Sequence, residues 1–219
     1  MTTERYDMIA DERDASASRA TSKGLARRDK IVDTATDLFL AQGYDAVTID
    51  EVVRVVGGSK TSVYKTFGGK EGLLSESVQQ MCTNFLIAFN QLDVSRLGPA
   101  DGLRVLGATL MRTLLEDRHI AFQRLIIAVS GRFPELARVW FESGPGRSRA
   151  AIAAFIAAKQ RSGELRPVAP DILAIQFHDM IVTNALYRAL MGEKPAWPEV
   201  ERWIDAAIDT LLHGCARAS

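Results

Sequence analysis

Cysteine is nearly missing from this chain of 219 residues: Cys82 and Cys215 are the only two, far apart on apolar stretches of helical spacing. Such a pair offers no disulfide framework and no thiolate metal site, and both thiols read as small core residues. Histidine is also scarce. His119, His178 and His213 are scattered without the spacing of a metal set. A nucleophile elbow, a P-loop and a Gly-rich dinucleotide fingerprint are lacking too, so the sequence points to no enzyme and to no cofactor or metal. Charge of one sign is not in excess: 27 Lys and Arg balance 27 Asp and Glu, and nothing global advertises nucleic acid. No apolar leader opens the chain and no apolar run approaches the roughly 20 residues of a membrane span, so a cytoplasmic protein off the membrane is expected. Strand formers never alternate with a period of two. With 47% apolar residues and enough length to bury a core, the chain reads as all-α.

What is present is unevenly placed. Residues 1–22 are polar and predict a flexible arm. Acids dominate its first part, whereas Arg19, Lys23, Arg27, Arg28 and Lys30 crowd residues 19–30 against Asp29 alone. Such a basic stretch suits phosphate contacts; the alternative is a solvated tail. A helix is predicted over Leu25–Gln42, with Ile31, Ala35, Leu38 and Phe39 inward, Gly43 at its end and Tyr44 packing back.

The most informative run is Thr48 to Lys70. Thr48 followed by Glu51 makes a capping box, so a helix begins at Ile49. Ile49, Val52, Val53 and Val56 form its apolar face, and Gly57 suits a C′ position. Ser59 caps a second, short helix that has only Val63 and Phe67 to bury. Its outward residues are Lys60, Thr61, Ser62, Tyr64 and Lys65, which are types that meet phosphates and base edges. A helix-turn-helix that lays its second helix in the DNA major groove is built this way.

A longer helix follows from Lys70 to about Leu92, and further helices are expected at Pro99–Leu115, His119–Ser130, Pro134–Glu142, Arg147–Arg161, about Ile172–Met191 and a last one ending near His213. Ser143-Gly144-Pro145-Gly146 is the clearest interruption among them. Residues 172–191 are apolar nearly all the way round, so that helix needs neighbours on several sides. The last helix carries a strong stripe as well. The simplest burial for both is a four-helix bundle with a second copy, through Ile175, Ile181 and Leu186 on one helix and Ile204, Ile208 and Leu211 on the other. The alternative is that the rest of the body covers them.

Ile31, Ala35, Leu38-Phe39, Gly43-Tyr44, Thr48, Gly57, Ser59, Tyr64, Phe67, Lys70-Glu71 and Leu73 stand in the order and spacing of one family. Over residues 27–75 the chain resembles the TetR family of bacterial transcriptional regulators. Phe133-Pro134-Glu135-Leu136, Gly144-Pro145 and Gly163-Glu164-Leu165 resemble the C-terminal region of AcrR- and AefR-like members.

The resemblance implies a helix-turn-helix DNA-binding domain at 23–69 and an effector-binding and dimerisation domain at 70–219. It implies a homodimer on double-stranded operator DNA, most often a repressor, released by a small, largely apolar effector. Carried across, Thr48 and Tyr64 would touch phosphates; Lys60, Thr61 and Ser62 would lie at base edges; and Lys70 would sit beside the backbone. Gly58, Gly69 and Gly72 depart from the family pattern and predict a looser junction after the short helix. Candidate effector contacts are the large apolar residues Phe85, Phe89, Met111, Phe122, Trp140, Phe141, Phe177 and Met180. Gln123, Arg124, His178 and Asn184 join them as polar groups on apolar helices, whose burial demands partners. A second reading is a helix-turn-helix protein acting mainly through protein partners, with an exposed patch in place of an enclosed pocket.

Overall fold

The computed structural model describes residues 24–214, except for the side chains at 86 and 88–90. The arm expected over 1–22 and Cys215 therefore lie outside the described residues. The described chain is helical: α1 over residues 24–42, α2 Ile49–Val56, α3 Lys60–Phe67, α4 Lys70–Asn90, α5 Pro99–Leu114, α6 Asp117–Val129, α7 Pro134–Ser143, α8 Pro145–Arg161, α9 Pro170–Leu190 and α10 Trp197–His213. Two compact units divide between Ser77 and Val78, inside α4.

In the first unit, α1 buries Ile31, Val32, Ala35 and Phe39, and the buried Tyr44 ring lies 5.7 Å from that of Phe39. Thr48 caps α2 by accepting from the Glu51 amide at 3.2 Å, and Ser59 caps α3 by accepting from that of Ser62 at 3.3 Å. Each cap supplies an acceptor for an amide that the first helical turn leaves without one. The first two turns of α4 belong to this unit. Lys70 Nζ donates to the Asp45 carbonyl at 3.1 Å and sits 4.3 Å from the Tyr44 ring centroid, and Arg28 pairs with Glu76 at 2.6 Å.

The junction between α3 and α4 is closely packed at Gly72. A Cβ at position 72 would overlap the Phe67 carbonyl oxygen, so Gly72 is what lets α4 start against the end of α3. Gly58 has φ of 110°, a backbone that side-chain-bearing residues rarely adopt.

In the second unit, α9 packs on four neighbours, α5, α6, α8 and α10, as its near-continuous apolar surface requires. Leu103, Leu106, Leu110 and Met111 of α5, Ile152 and Ile156 of α8, Phe177 and Ile181 of α9, and Val200, Ile204 and Ile208 of α10 meet in one core. Proline sits in the first turn of α5, α7, α8, α9 and α10, where its missing N–H leaves no helical bond unmade. The expected break at 143–146 narrows to Gly144 alone, because Pro145 opens α8 immediately. No helix among the described residues is long and apolar enough to cross a membrane.

Candidate DNA-binding and effector sites

Apart from Val63 and Phe67, every residue of α3 is exposed. Burial of those two anchors the helix, so Lys60, Thr61, Ser62, Tyr64, Lys65 and Thr66 form its outward surface. Tyr64 shows 56% of its surface, unusual for so large a ring. Lys60 Nζ pairs with Asp50 of α2 at 2.6 Å, with both groups solvated. Pairs of this kind contribute about 0–1 kcal/mol and exchange readily for a phosphate or a base edge. Thr48 and Ser59 are exposed at the two helix N-termini, where amides favour an anion.

The other basic candidates have internal partners. Arg27 reaches the Gly57 carbonyl at 3.5 Å, Arg28 holds Glu76 and lies over Phe67, and Lys70 is engaged as described. Arg28 and Lys70 thus brace the unit.

The second unit contains a cavity of about 410 Å³, within the size range of small-molecule sites. Of the candidates named from sequence, Phe85, Phe122, Gln123, Trp140, Phe141 and His178 line it. Several others are placed elsewhere. Met111 and Phe177 are fully buried in the core and do not line the cavity. Met180 and Asn184 face outward on the exposed side of α9. Arg124 is no cavity residue either: its guanidinium donates to the Ala189 and Leu190 carbonyls at 3.0 and 3.1 Å, closing the C-terminus of α9. The side chain of Phe89 lies outside the described residues.

The expected interface residues also divide. Ile181, Ile204 and Ile208 are buried within the protomer, since α10 spends its apolar stripe on α5 and α9. Leu186 lines the cavity and Leu211 is half-buried against the core. Ile175 does stand exposed, beside a stripe of Ile172, Met180 and Tyr187 on α9 that Met191 extends just past the helix end.

The cavity also holds residues that the sequence did not single out. Arg149 of α8 donates through Nη2 to Asp179 Oδ1 at 2.7 Å, and His178 Nδ1 lies 2.8 Å from the same oxygen. Burial pushes the His178 imidazole below its ordinary range despite the carboxylate beside it, while His178 and Arg149 hold Asp179 low against its partial burial. Across the cavity His119 is packed between Phe85 and Phe122, and burial with Arg118 nearby drives its pKa to about 4. Burial pushes the Cys82 thiol up to about 11, which keeps it protonated. A signal for Arg149 and Asp179 existed: a charge on the Ala-rich α8 and one flanking His178 on an apolar helix.

Residues 31–76 match the bacterial regulatory proteins of the tetR family, and residues 101–214 match the AefR-like transcriptional repressor C-terminal domain. The chain belongs to the TetR family. Family members are transcriptional regulators that bind DNA and act as dimers. Two solved structures resemble it over most of its length. A regulator from Mesorhizobium loti is 27% identical with a TM-score of 0.77, over 86% of this chain and 96% of the other. The flavonoid-responsive regulator FrrA is 27% identical with a TM-score of 0.73, over 89% and 99%. Among curated proteins, the negative transcriptional regulator IcaR of the biofilm operon icaADBC, from Staphylococcus epidermidis, is 39% identical over 62 residues, 28% of this chain and 33% of IcaR. The chain thus spans about a third of the length of the curated relatives it matches.

Proposed function

We propose that this TetR-family regulator is a homodimeric repressor that leaves its operator when a small, largely apolar molecule fills the cavity between α4 and α9. The observation that carries the reading is the 410 Å³ space, lined mainly by apolar side chains, in a chain whose α3 presents lysines, hydroxyls and a tyrosine to solvent. Repression is supported by IcaR's name and by the AefR-like repressor match, and a small-molecule signal by the responsiveness in FrrA's name. A cleft of this volume with apolar walls favours an effector over the alternative of action through protein partners.

Two copies would associate through the exposed apolar side chains Ile172, Ile175, Met180 and Tyr187 of α9 and Met191 just beyond it. Their α3 helices would enter successive major grooves, about 34–36 Å apart. A single helix, α4, carries Lys70 and Gly72 near its start and Met81, Cys82 and Phe85 on the cavity wall. Ligand that displaces the cavity end of α4 therefore disturbs the element on which the α3 junction rests. To release DNA, it must bind the DNA-incompetent arrangement more tightly than the competent one.

The test is footprinting on DNA flanking the gene, followed by anisotropy on the protected site. Lys60→Ala and Tyr64→Phe should each weaken binding about tenfold. Lys60→Ala should also relax sequence preference at the base it reads. Unchanged affinity in both variants rejects the assignment of α3.

A further inference from the structure

The cavity contains a polar group with nothing to bond. Gln123 of α6 is 5% exposed and lines the cavity, yet no described residue hydrogen-bonds its amide. Its amide nitrogen and oxygen stay accessible from the cavity, where solvent or a ligand would complete them. A buried amide left unpaired costs about 1–3 kcal/mol, and a chain retains one where something else completes it. Beside it, His119 has ring contacts to Phe85 and Phe122 but no hydrogen bond among the described residues.

The charged groups of the cavity behave oppositely. Arg149 Nη2 and Asp179 face each other at 2.7 Å and His178 closes on the same carboxylate, so their formal charges cancel, while the partnerless Arg149 Nε is sealed off from the cavity. Among the other titratable groups of the wall, His119 and Cys82 are neutral near pH 7, held there by burial. An anionic ligand would have to compete with Asp179 for Arg149, and a cationic one would meet no free carboxylate. Either would lose its hydration without a countercharge. An uncharged ligand meets no such cost. The rings of Phe85, Phe122, Trp140 and Phe141 offer flat apolar walls, and Gln123 offers both a donor and an acceptor.

We infer that the cavity selects uncharged aromatic molecules bearing a hydroxyl or carbonyl group, anchored by Gln123, and rejects carboxylates and ammonium ions of the same shape. The inference rests on the effector reading above and specifies the ligand class.

The experiment uses the full-length protein and one ring system in four forms: biphenyl, 4-hydroxybiphenyl, biphenyl-4-carboxylate and 4-(aminomethyl)biphenyl. Affinities come from calorimetry, with operator release followed separately. The hydroxyl compound should bind at least about tenfold more tightly than either ion, and more tightly than biphenyl. Gln123→Leu should abolish the preference over biphenyl while raising the Tm of the free protein, because the lone amide is removed. A merely structural glutamine would lower Tm on the same change. Asp179→Asn, which frees Arg149, should shift preference towards the carboxylate. Tighter binding of an ion by the wild type, failure of all four to bind, or undiminished hydroxyl preference in Gln123→Leu overturns the inference. Binding of the hydroxyl compound without operator release counts against the release mechanism and leaves the ligand class standing.

Discussion

His119 shows what burial does to a titratable side chain here. With its pKa near 4 in the folded chain against 6.5 ordinarily, it is neutral when folded and takes up a proton when unfolded anywhere between those values. The folded state then binds fewer protons, so stability is full above pH 6.5 and falls as pH drops towards 4, by up to about 1.4 kcal/mol per pH unit. Thermal melts from pH 7.5 to 4 should show that slope in the native protein and a shallower one in His119→Leu. Gly72 gives a second residue-scale expectation. Gly72→Ala forces a methyl into the Phe67 carbonyl and should destabilise the first unit by about 1–3 kcal/mol, as read by urea denaturation. The sequence marked Gly72 only as a departure from the family pattern. Propensity says nothing of a neighbouring carbonyl, so the need for glycine emerges only once α3 and α4 are folded against each other.

Among the elements, helix starts and stops were largely legible beforehand. Thr48, Ser59 and the first-turn prolines act through local geometry, so α2, α3 and α5 begin where capping and proline rules put them. The α8 start was less readable, because Ser143-Gly144-Pro145-Gly146 resembles a loop and one residue suffices for the turn. Which side of an all-round apolar helix faces which neighbour was not legible at all. Periodicity places Phe177, Ile181 and Met180 on α9 without saying that the first two meet α5 and α10 while Met180 meets solvent. The same ambiguity hid the job of Arg124. Its guanidinium closes α9, so Arg124→Ala should cost about 1 kcal/mol and fray that helix end, visible as faster amide exchange over the last turn.

At the scale of the molecule, the exposed α9 stripe and the buried α10 stripe predict different outcomes for similar changes. Ile175→Glu or Met180→Glu should leave the fold intact and yield monomers in sedimentation experiments, since both side chains sit at the surface, 39% exposed, where a carboxylate can reach water. Ile208→Glu should instead unfold the second unit, because an unpaired carboxylate would enter its core. A monomer-forming but folded Ile208 variant would contradict this division.

Thr183 and Tyr187 line the cavity and are also exposed to solvent, Tyr187 over 64% of its surface. If the α9 stripe is where copies meet, these two residues belong to both equilibria, and filling one must alter the free energy of the other by an equal amount. The dose that half-saturates the regulator would then drift with its own abundance, so a cell making more of it would retune its sensitivity without altering one contact to the ligand.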